Sequence, residues 1–417
     1  MLNGAKLKTL DLITKAESYL KTDLRYITKG GFWLLLGQIA STGSALALSI
    51  AFANLTTKDF YGNYKYILSL SALLSIFTLN GIDTAIAQTI AQGKDGPFFR
   101  GLRAKISWGL IGSVFSFIAG IYYLYQSNQD LALSLFLIGI FLPLSEAFDI
   151  YNSVLQGRKL FKLLTFFNSA TQIISSLIIA TAILFNIKVF ILIGIYFITH
   201  TTINLVCLIT TLRKTTLNPT DNPDTINYGK HLSLMQVIGI IMGEIDKVII
   251  FHFLGAASLA IYTFTTAPVD QLKGILKNIS FIAFPRFANH SQENIKNNLR
   301  PKLIRVGILT AAMVTTYVIM APFLFKILFK QYYYYVIYSQ VFALSLIGVT
   351  LSMLLYTFLE SHGFKKLLYQ YHIISNVISI VTLIPFTYFW GIWGAIIARI
   401  ISRSFLFILS YWLVEKT

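Results

Sequence analysis

Apolar runs of twenty or more residues recur along this chain, parted by short polar joints. That length matches the helix needed to cross the hydrocarbon core of a bilayer, about 20 residues. Twelve such runs are read, at 30–53, 66–91, 106–125, 131–155, 163–185, 189–212, 232–254, 257–284, 304–328, 336–360, 369–389 and 391–413. The expected architecture is an all-α polytopic membrane protein with twelve transmembrane helices.

The joints between the runs are not alike, and their basic residues fix an orientation. Every second joint is rich in Lys and Arg: residues 1–29, 93–105, 157–162, 213–231, 286–305 and 361–368, with Lys416 in the tail. Together these hold 24 of the 34 basic residues, whereas the alternate joints hold five, Lys58, Lys65, Lys188, Lys326 and Lys330. Short basic loops are retained on the cytoplasmic side. Both termini are therefore expected in the cytoplasm, with the chain passing repeatedly through the membrane. Residues 1–29 carry six bases and no apolar core, which argues against a signal peptide. Leu20, Leu24 and Ile27 continue a helical spacing from Ile13 and Ala16, so this segment is expected to lie as an amphipathic helix on the cytoplasmic surface.

The longest polar joint, residues 213–231, falls at the midpoint and reads as a cytoplasmic linker. It separates an N-lobe at 30–212 from a C-lobe at 232–417, six helices each. A shift of 198 residues places Gln38 on Gln236 and Tyr64 on Tyr262. Gly157 with Lys159 matches Gly363 with Lys365 at the fourth-to-fifth-helix joints. An even number of helices per half predicts a parallel pseudo-repeat, a transporter architecture with substrate between the halves.

Composition agrees. The chain has 417 residues, 55% hydrophobic and 12% charged, against roughly 25% charge in soluble domains. A net charge of +17 would fit a nucleic-acid binder if it clustered on a soluble face. Here it sits in loops between apolar runs, which favours anionic membrane lipids as partners and argues against nucleic acid. Cys207 is the only cysteine, so there is no intramolecular disulfide and no metal-site spacing. No Walker loop is present, and the loops are too short for a glycosyltransferase site. The chain reads as a transporter without a cofactor, not an enzyme.

Three stretches carry a family resemblance. FANLTTKDFYGNYKYILSLSALLSIFTLNGIDTAIAQTIAQGKDG (52–96) resembles the opening of bacterial polysaccharide-repeat-unit flippases, the O-antigen and capsule exporters of the multidrug/oligosaccharidyl-lipid/polysaccharide superfamily. GEIDKVIIFHFLGAASLAIYTF (243–264) is similar to that family's seventh-helix motif, and ISNVISIVTLIPFTYFWGIWGAIIARIIS (374–402) to its eleventh-to-twelfth-helix motif. The resemblance implies a V-shaped transporter that moves undecaprenyl-diphosphate-linked oligosaccharide from the inner to the outer leaflet by alternating access. It also implies a polysaccharide polymerase and a chain-length regulator as further partners. Two other functions stay open: a cation-coupled multidrug exporter of the same superfamily, and a non-transporting scaffold for polysaccharide assembly.

Candidate chemistry lies in charges within the spans, since each costs at least ~2.5 kcal/mol at a helix centre. The bases are Lys247, Lys273, Lys277, Arg399 and Arg403. Lys273 and Lys277 share one helix face, as do Arg399 and Arg403, and two such stripes could hold a diphosphate. Glu244 and Asp270 each lie one turn before a lysine, which gives Glu244–Lys247 and Asp270–Lys273 as alternative structural pairs; neither arginine has an acid on its own span. The acids Asp83, Glu146, Asp149, Glu244, Asp246 and Asp270 are candidates for H⁺ or Na⁺ coupling. The first half has no base inside a span, so Glu146 and Asp149 could instead bind Arg158 and Lys159, and Asp83 could order a break in span two. Tyr332 to Tyr335 read as an interfacial belt.

Overall fold

The computed structural model describes residues 24–220, 222–288, 292, 295 and 299–417. Most of the expected surface helix at 1–29 lies outside them. Among the described residues there is no strand, and nearly every segment is helical. The helices are α1 (Leu24–Leu55), α2 (Lys58–Leu74), α3 (Gly81–Ala91), α4 (Pro97–Tyr125), α5 (Gln129–Phe148), α6 (Tyr151–Gly157), α7 (Phe161–Leu184) and α8 (Val189–Lys214). They continue as α9 (Thr225–Ala288), α10 (Leu299–Leu328), α11 (Val336–Ala343), α12 (Ser345–Ser361) and α13 (Lys365–Glu415).

Among the described residues nine helices are long and apolar enough to cross a membrane, ten if the bent pair α2–α3 is one span. The protein is a multi-pass membrane protein. Two of those helices are over-long, 64 and 51 residues, and each is two helices joined at a non-helical glycine. Gly255 (φ 81°, ψ 178°) divides α9 and Gly391 (φ 60°, ψ −138°) divides α13. Only a residue without Cβ adopts such angles cheaply. The two glycines lie in two of the three stretches that carry the family resemblance: Leu-Gly-Ala-Ala is the turn of one helical hairpin, Gly-Ile-Trp-Gly of the other. At the second, a Cβ on Gly394 would come within 1.7 Å of the Phe386 carbonyl oxygen, so only glycine lets the hairpin close.

By packing, the chain forms two compact units. The first holds the residues up to Ala51 and Leu73–Ile238; the second holds Phe52–Ala72 and Gly239–Thr417. In the first, α4 meets α5 along a row of small residues, as membrane helices do. A Cβ on Gly109 would lie 2.9 Å from Pro143, and one on Gly120 2.5 Å from Phe136. Ser116 Oγ donates to the Leu135 carbonyl at 2.6 Å. Asn128 caps α5 by accepting from Leu131 N at 3.2 Å. Asn204 on α8 donates to the Ser145 carbonyl at 3.1 Å.

The second span breaks, as expected, but Asp83 does not order the break. A 3-10 turn at Ser75–Thr78 leads to Leu79 in the left-handed region (φ 55°), and the two arms bend by 51°. Thr78 Oγ1 donates to Asn80 Oδ1 at 2.9 Å, and Gly81 N donates to Ser233 Oγ at 2.9 Å. These short polar groups satisfy the interrupted backbone.

The 213–231 joint is tied down. Asp95, buried, accepts from Arg158 (2.5 Å) and from Asn218 N (2.8 Å). Arg158 also donates to the Thr216 carbonyl at 2.6 Å, and Gly96 N to the Thr220 carbonyl at 3.0 Å. The expected pairing of Arg158 with Glu146 and Asp149 is thus replaced by Asp95, which the sequence pattern left unremarked.

In the second unit, α9, α10, α12 and α13 share a core that includes Phe287, Leu303, Leu355, Phe358 and Leu413. At its other end Phe264 packs on Tyr332 (4.2 Å) and Tyr61 (4.4 Å), and Phe52 stacks on Tyr64 (4.7 Å). Tyr332 is therefore core. Tyr334, 86% exposed, fits the interfacial reading.

The two units share a local motif that shifts the repeat register. At the end of α6, Arg158, Lys159 and Leu160 donate to the carbonyls of Val154, Gln156 and Leu155; after α12, His362, Gly363 and Phe364 donate to Phe358, Glu360 and Leu359. Lys159 (φ 60°) and Gly363 (φ 71°) occupy the same left-handed position. Lys159 thus corresponds to Gly363, two residues from the pairing that sequence identity selects.

Candidate functional site

Two charged clusters lie inside the spans, one in each unit. In the second unit a cavity of about 430 Å³ is lined by Arg399, Arg403, Lys273, Lys277, Asp246 and Asp270, with Tyr262 and Phe342 among the uncharged walls. Four bases face two acids, a formal charge of +2.

The turn at Gly255 builds the first corner of this site. It folds the second arm of α9 back, so that Tyr262 donates its hydroxyl to Asp246 Oδ2 at 2.8 Å. Asp246 Oδ2 also lies 2.9 Å from Arg399, whose other terminal nitrogen donates to Ser379 Oγ at 3.2 Å. The Asp, the Leu-Gly turn and the Ile-Tyr pair of the 243–264 stretch are thus one device that seats Arg399. Arg403, one turn on, pairs with Asp270 Oδ1 at 2.8 Å, donates to Ser345 Oγ at 2.9 Å and lies 4.5 Å over the Phe342 ring. Close approach helps here: a Cβ on Gly348 would lie 2.9 Å from the Arg403 carbonyl oxygen.

Several expectations are therefore revised. Asp270 pairs with Arg403 across helices, not with Lys273 one turn away. Both arginines do have carboxylate partners, supplied by another helix. Lys273 makes no ion pair within 4.0 Å among the described residues and lines the cavity beside Lys277. Lys247 instead pairs with Glu244 at 2.7 Å and is not among the residues that line the cavity, so the local pair expected there forms. Lys65, placed in an outer joint by sequence, lies within electrostatic range of both.

In the first unit the decisive residue is Lys105, assigned by sequence to a cytoplasmic joint. It sits more than two turns inside α4, 0% exposed, with its ammonium 2.6 Å from Asp83 Oδ2. Glu146 and Asp149 lie in its field. Asp149 accepts from Asn152 at 2.7 Å, while Asp83 Oδ1 is buried with no hydrogen-bond partner. The first half thus has an intramembrane base after all, facing three acids. The signal was its place eight residues beyond Pro97, the first residue of its helix, on the same helical run as the span.

An Arg fork offers five donors, and the contacts above occupy only part of each. Two such forks and two ammoniums around one hollow suit an oxyanion such as phosphate, by charge and by bidentate geometry. Among the described residues no group of three or more His, Cys, Asp or Glu is placed to hold a metal ion.

The arrangement of these helices is shared with several solved membrane-protein structures. The structure is similar to a lipid II flippase, MurJ, in an inward closed conformation, at 13% identity and TM-score 0.65, over 91% of this chain and 87% of that one. It is similar to a multidrug-resistance MATE transporter in an inward-facing conformation, at 12% identity and TM-score 0.61, over 90% and 94%. A superfamily transporter from Pyrococcus furiosus is matched at 13% identity and TM-score 0.53, over 94% and 95%. At such identities the likeness concerns the fold. The family itself is given by sequence: the model of the polysaccharide biosynthesis protein family matches residues 27–291, and the chain belongs to that family. No curated protein is matched.

Proposed function

We propose that this protein is a flippase that carries undecaprenyl-diphosphate-linked oligosaccharide units from the inner to the outer leaflet of the cytoplasmic membrane by alternating access. In this reading twelve spans form two six-helix lobes at 30–212 and 232–417, both termini are cytoplasmic, and the protein transports without catalysing a covalent step. The carrying observation is the +2 hollow of Arg399, Arg403, Lys273 and Lys277 in the second unit. A lipid-linked oligosaccharide can leave its tail in lipid, but its diphosphate cannot cross about 30 Å of hydrocarbon unaided. Cations in a polar recess lower that barrier. Membership of the polysaccharide biosynthesis family and likeness to a protein named as a lipid II flippase support the same substrate class.

Likeness to multidrug transporters keeps the alternative of a drug exporter in view. A pump for cationic drugs needs net negative charge where its substrate rests, and the second-unit hollow has the opposite sign. Coupling by H⁺ or Na⁺ is assigned to Asp83, Glu146 and Asp149 around Lys105. Three acids against one base leave two carboxylates for a cation to balance. Asp246, Glu244 and Asp270 are engaged by bases and take the role of seating them.

The test replaces Lys273, Arg399 and Arg403 singly by Ala and by Glu, with surface polysaccharide measured beside protein level. The Glu variants are expected to export at least tenfold less per folded molecule, after correction for any fall in protein level. Normal export by all three Glu variants overturns the anion site, and with it separates a scaffold from a flippase.

A further inference from the structure

The first unit has a second opening that the transport reading leaves unused. A cleft of about 970 Å³ lies between α1 and α7. Its walls are apolar, with Trp33, Leu36 and Ala40 on α1 and Phe166 on α7. The two helices meet at small residues: a Cβ on Gly37 would lie 2.4 Å from Thr165 Cγ2, and Ser169 Oγ donates to the Gly37 carbonyl at 3.5 Å. Lys159 from the joint before α7, Lys162 from the first turn of α7 and Lys214 from the last turn of α8 make the cleft's basic end. The Lys162 ammonium lies 5.1 Å over the Trp33 ring. The N-terminus of α7, a helix of 24 residues, lines the same end and adds the positive end of its dipole.

We propose that this cleft binds one anionic phospholipid, with an acyl chain along the apolar walls and the phosphate at the three lysines. An apolar trough that ends in cations selects an amphiphile with a negative head. A free phosphate would leave the walls in contact with water, and a cationic amphiphile would be repelled at the lysines. A zwitterionic phospholipid brings its own ammonium to that end, so it binds less well than a phospholipid with net charge. Lys supplies compact point charges that suit a phosphate of variable pose, and basic pockets between spans at the membrane surface recognise anionic headgroups. The lysines belong to joints counted on the cytoplasmic side, so the lipid comes from the cytoplasmic leaflet under the orientation proposed above. The site is distinct from the second-unit hollow and does not depend on which substrate is transported.

Native mass spectrometry of the full chain in uncharged detergent tests this. Phosphatidylglycerol, cardiolipin, phosphatidylethanolamine and farnesyl diphosphate are added separately and in competition. Wild type is expected to retain phosphatidylglycerol or cardiolipin at least tenfold better than phosphatidylethanolamine, and farnesyl diphosphate at equal concentration is expected not to displace them. Lys159→Gln with Lys162→Gln and Lys214→Gln abolishes the preference, and Ala40→Phe, which fills the trough, lowers retention without changing headgroup order. Equal retention of the charged and zwitterionic lipids overturns the proposal, as does an unchanged preference in the triple variant. Displacement by farnesyl diphosphate also overturns it, assigning the cleft to an isoprenoid carrier. If the triple variant fails to elute as a single species, Lys162→Gln and the wild-type headgroup series decide.

Discussion

A guanidinium at position 399 costs at least ~2.5 kcal/mol within a span, and the structure shows how that cost is offset. Asp246 lies 2.9 Å away and is itself held by the Tyr262 hydroxyl. Removing one partner of such a pair strands the other charge, which costs about 3–5 kcal/mol. Asp246→Asn is therefore expected to lower thermal stability in detergent sharply, with Tyr262→Phe costing about 1 kcal/mol; equal melting of Asp246→Asn and wild type would refute the pairing. The same logic applies to Lys105 and Asp83. Lys105→Met alone should destabilise by a similar amount, while Lys105→Met with Asp83→Asn should recover much of it. If that stable double variant still exports at the wild-type rate, the proposed coupling role is wrong. Sequence named eleven of the twelve charged groups now seen in these two clusters and in the Glu244–Lys247 pair. It missed Lys105 because a base near the start of a span looks like loop when only hydropathy is read. It missed Asp246–Arg399 and Asp270–Arg403 as pairs because both are contacts between helices distant in the chain.

At the scale of elements, glycine decides where helices turn and touch. Gly255 holds angles that cost other residues about 1–3 kcal/mol, so Gly255→Ala should destabilise the hairpin that presents Tyr262 to Asp246. A sharper comparison is available in α1 and α2. A Cβ on Gly62 would lie 1.9 Å from the Ala256 carbonyl oxygen, whereas one on Gly43 meets nothing within 4 Å. Gly62→Ala is expected to reduce folded protein in the membrane severalfold while Gly43→Ala leaves it unchanged, measured by fluorescence-detected gel filtration. Equal effects would contradict the close approach. The helices themselves were legible in the apolar runs, because lipid demands internally satisfied backbone. Where a hairpin turn is a single glycine, hydropathy sees the boundary only as a dip. The break in span two was expected at Asp83, yet its cause was not legible, since Ser233, which takes the Gly81 N–H, comes from 152 residues away.

For the molecule as a whole, charge has two scales of meaning. The excess in alternate joints underlies the orientation proposed above, and three of those lysines line one cleft of the first unit. The charges inside spans divide by unit: three acids around one base in the first, and four bases around two acids in the second. The sequence displayed that asymmetry in coarse form, acids in both halves and span bases only in the later one. What composition could not supply was the pooling of four bases in a single hollow, since that depends on α9 and α13 each folding back on itself. This division is what an exporter of an anionic head coupled to a cation would need, with separate places for the two species. The most direct measurement is movement of a short-chain lipid-diphosphate-linked oligosaccharide across proteoliposomes that contain only this protein, beside efflux of a cationic dye. The account predicts that the lipid-linked sugar crosses, that Arg403→Glu stops it, and that the dye is not exported. Dye export without movement of the lipid-linked sugar would contradict it.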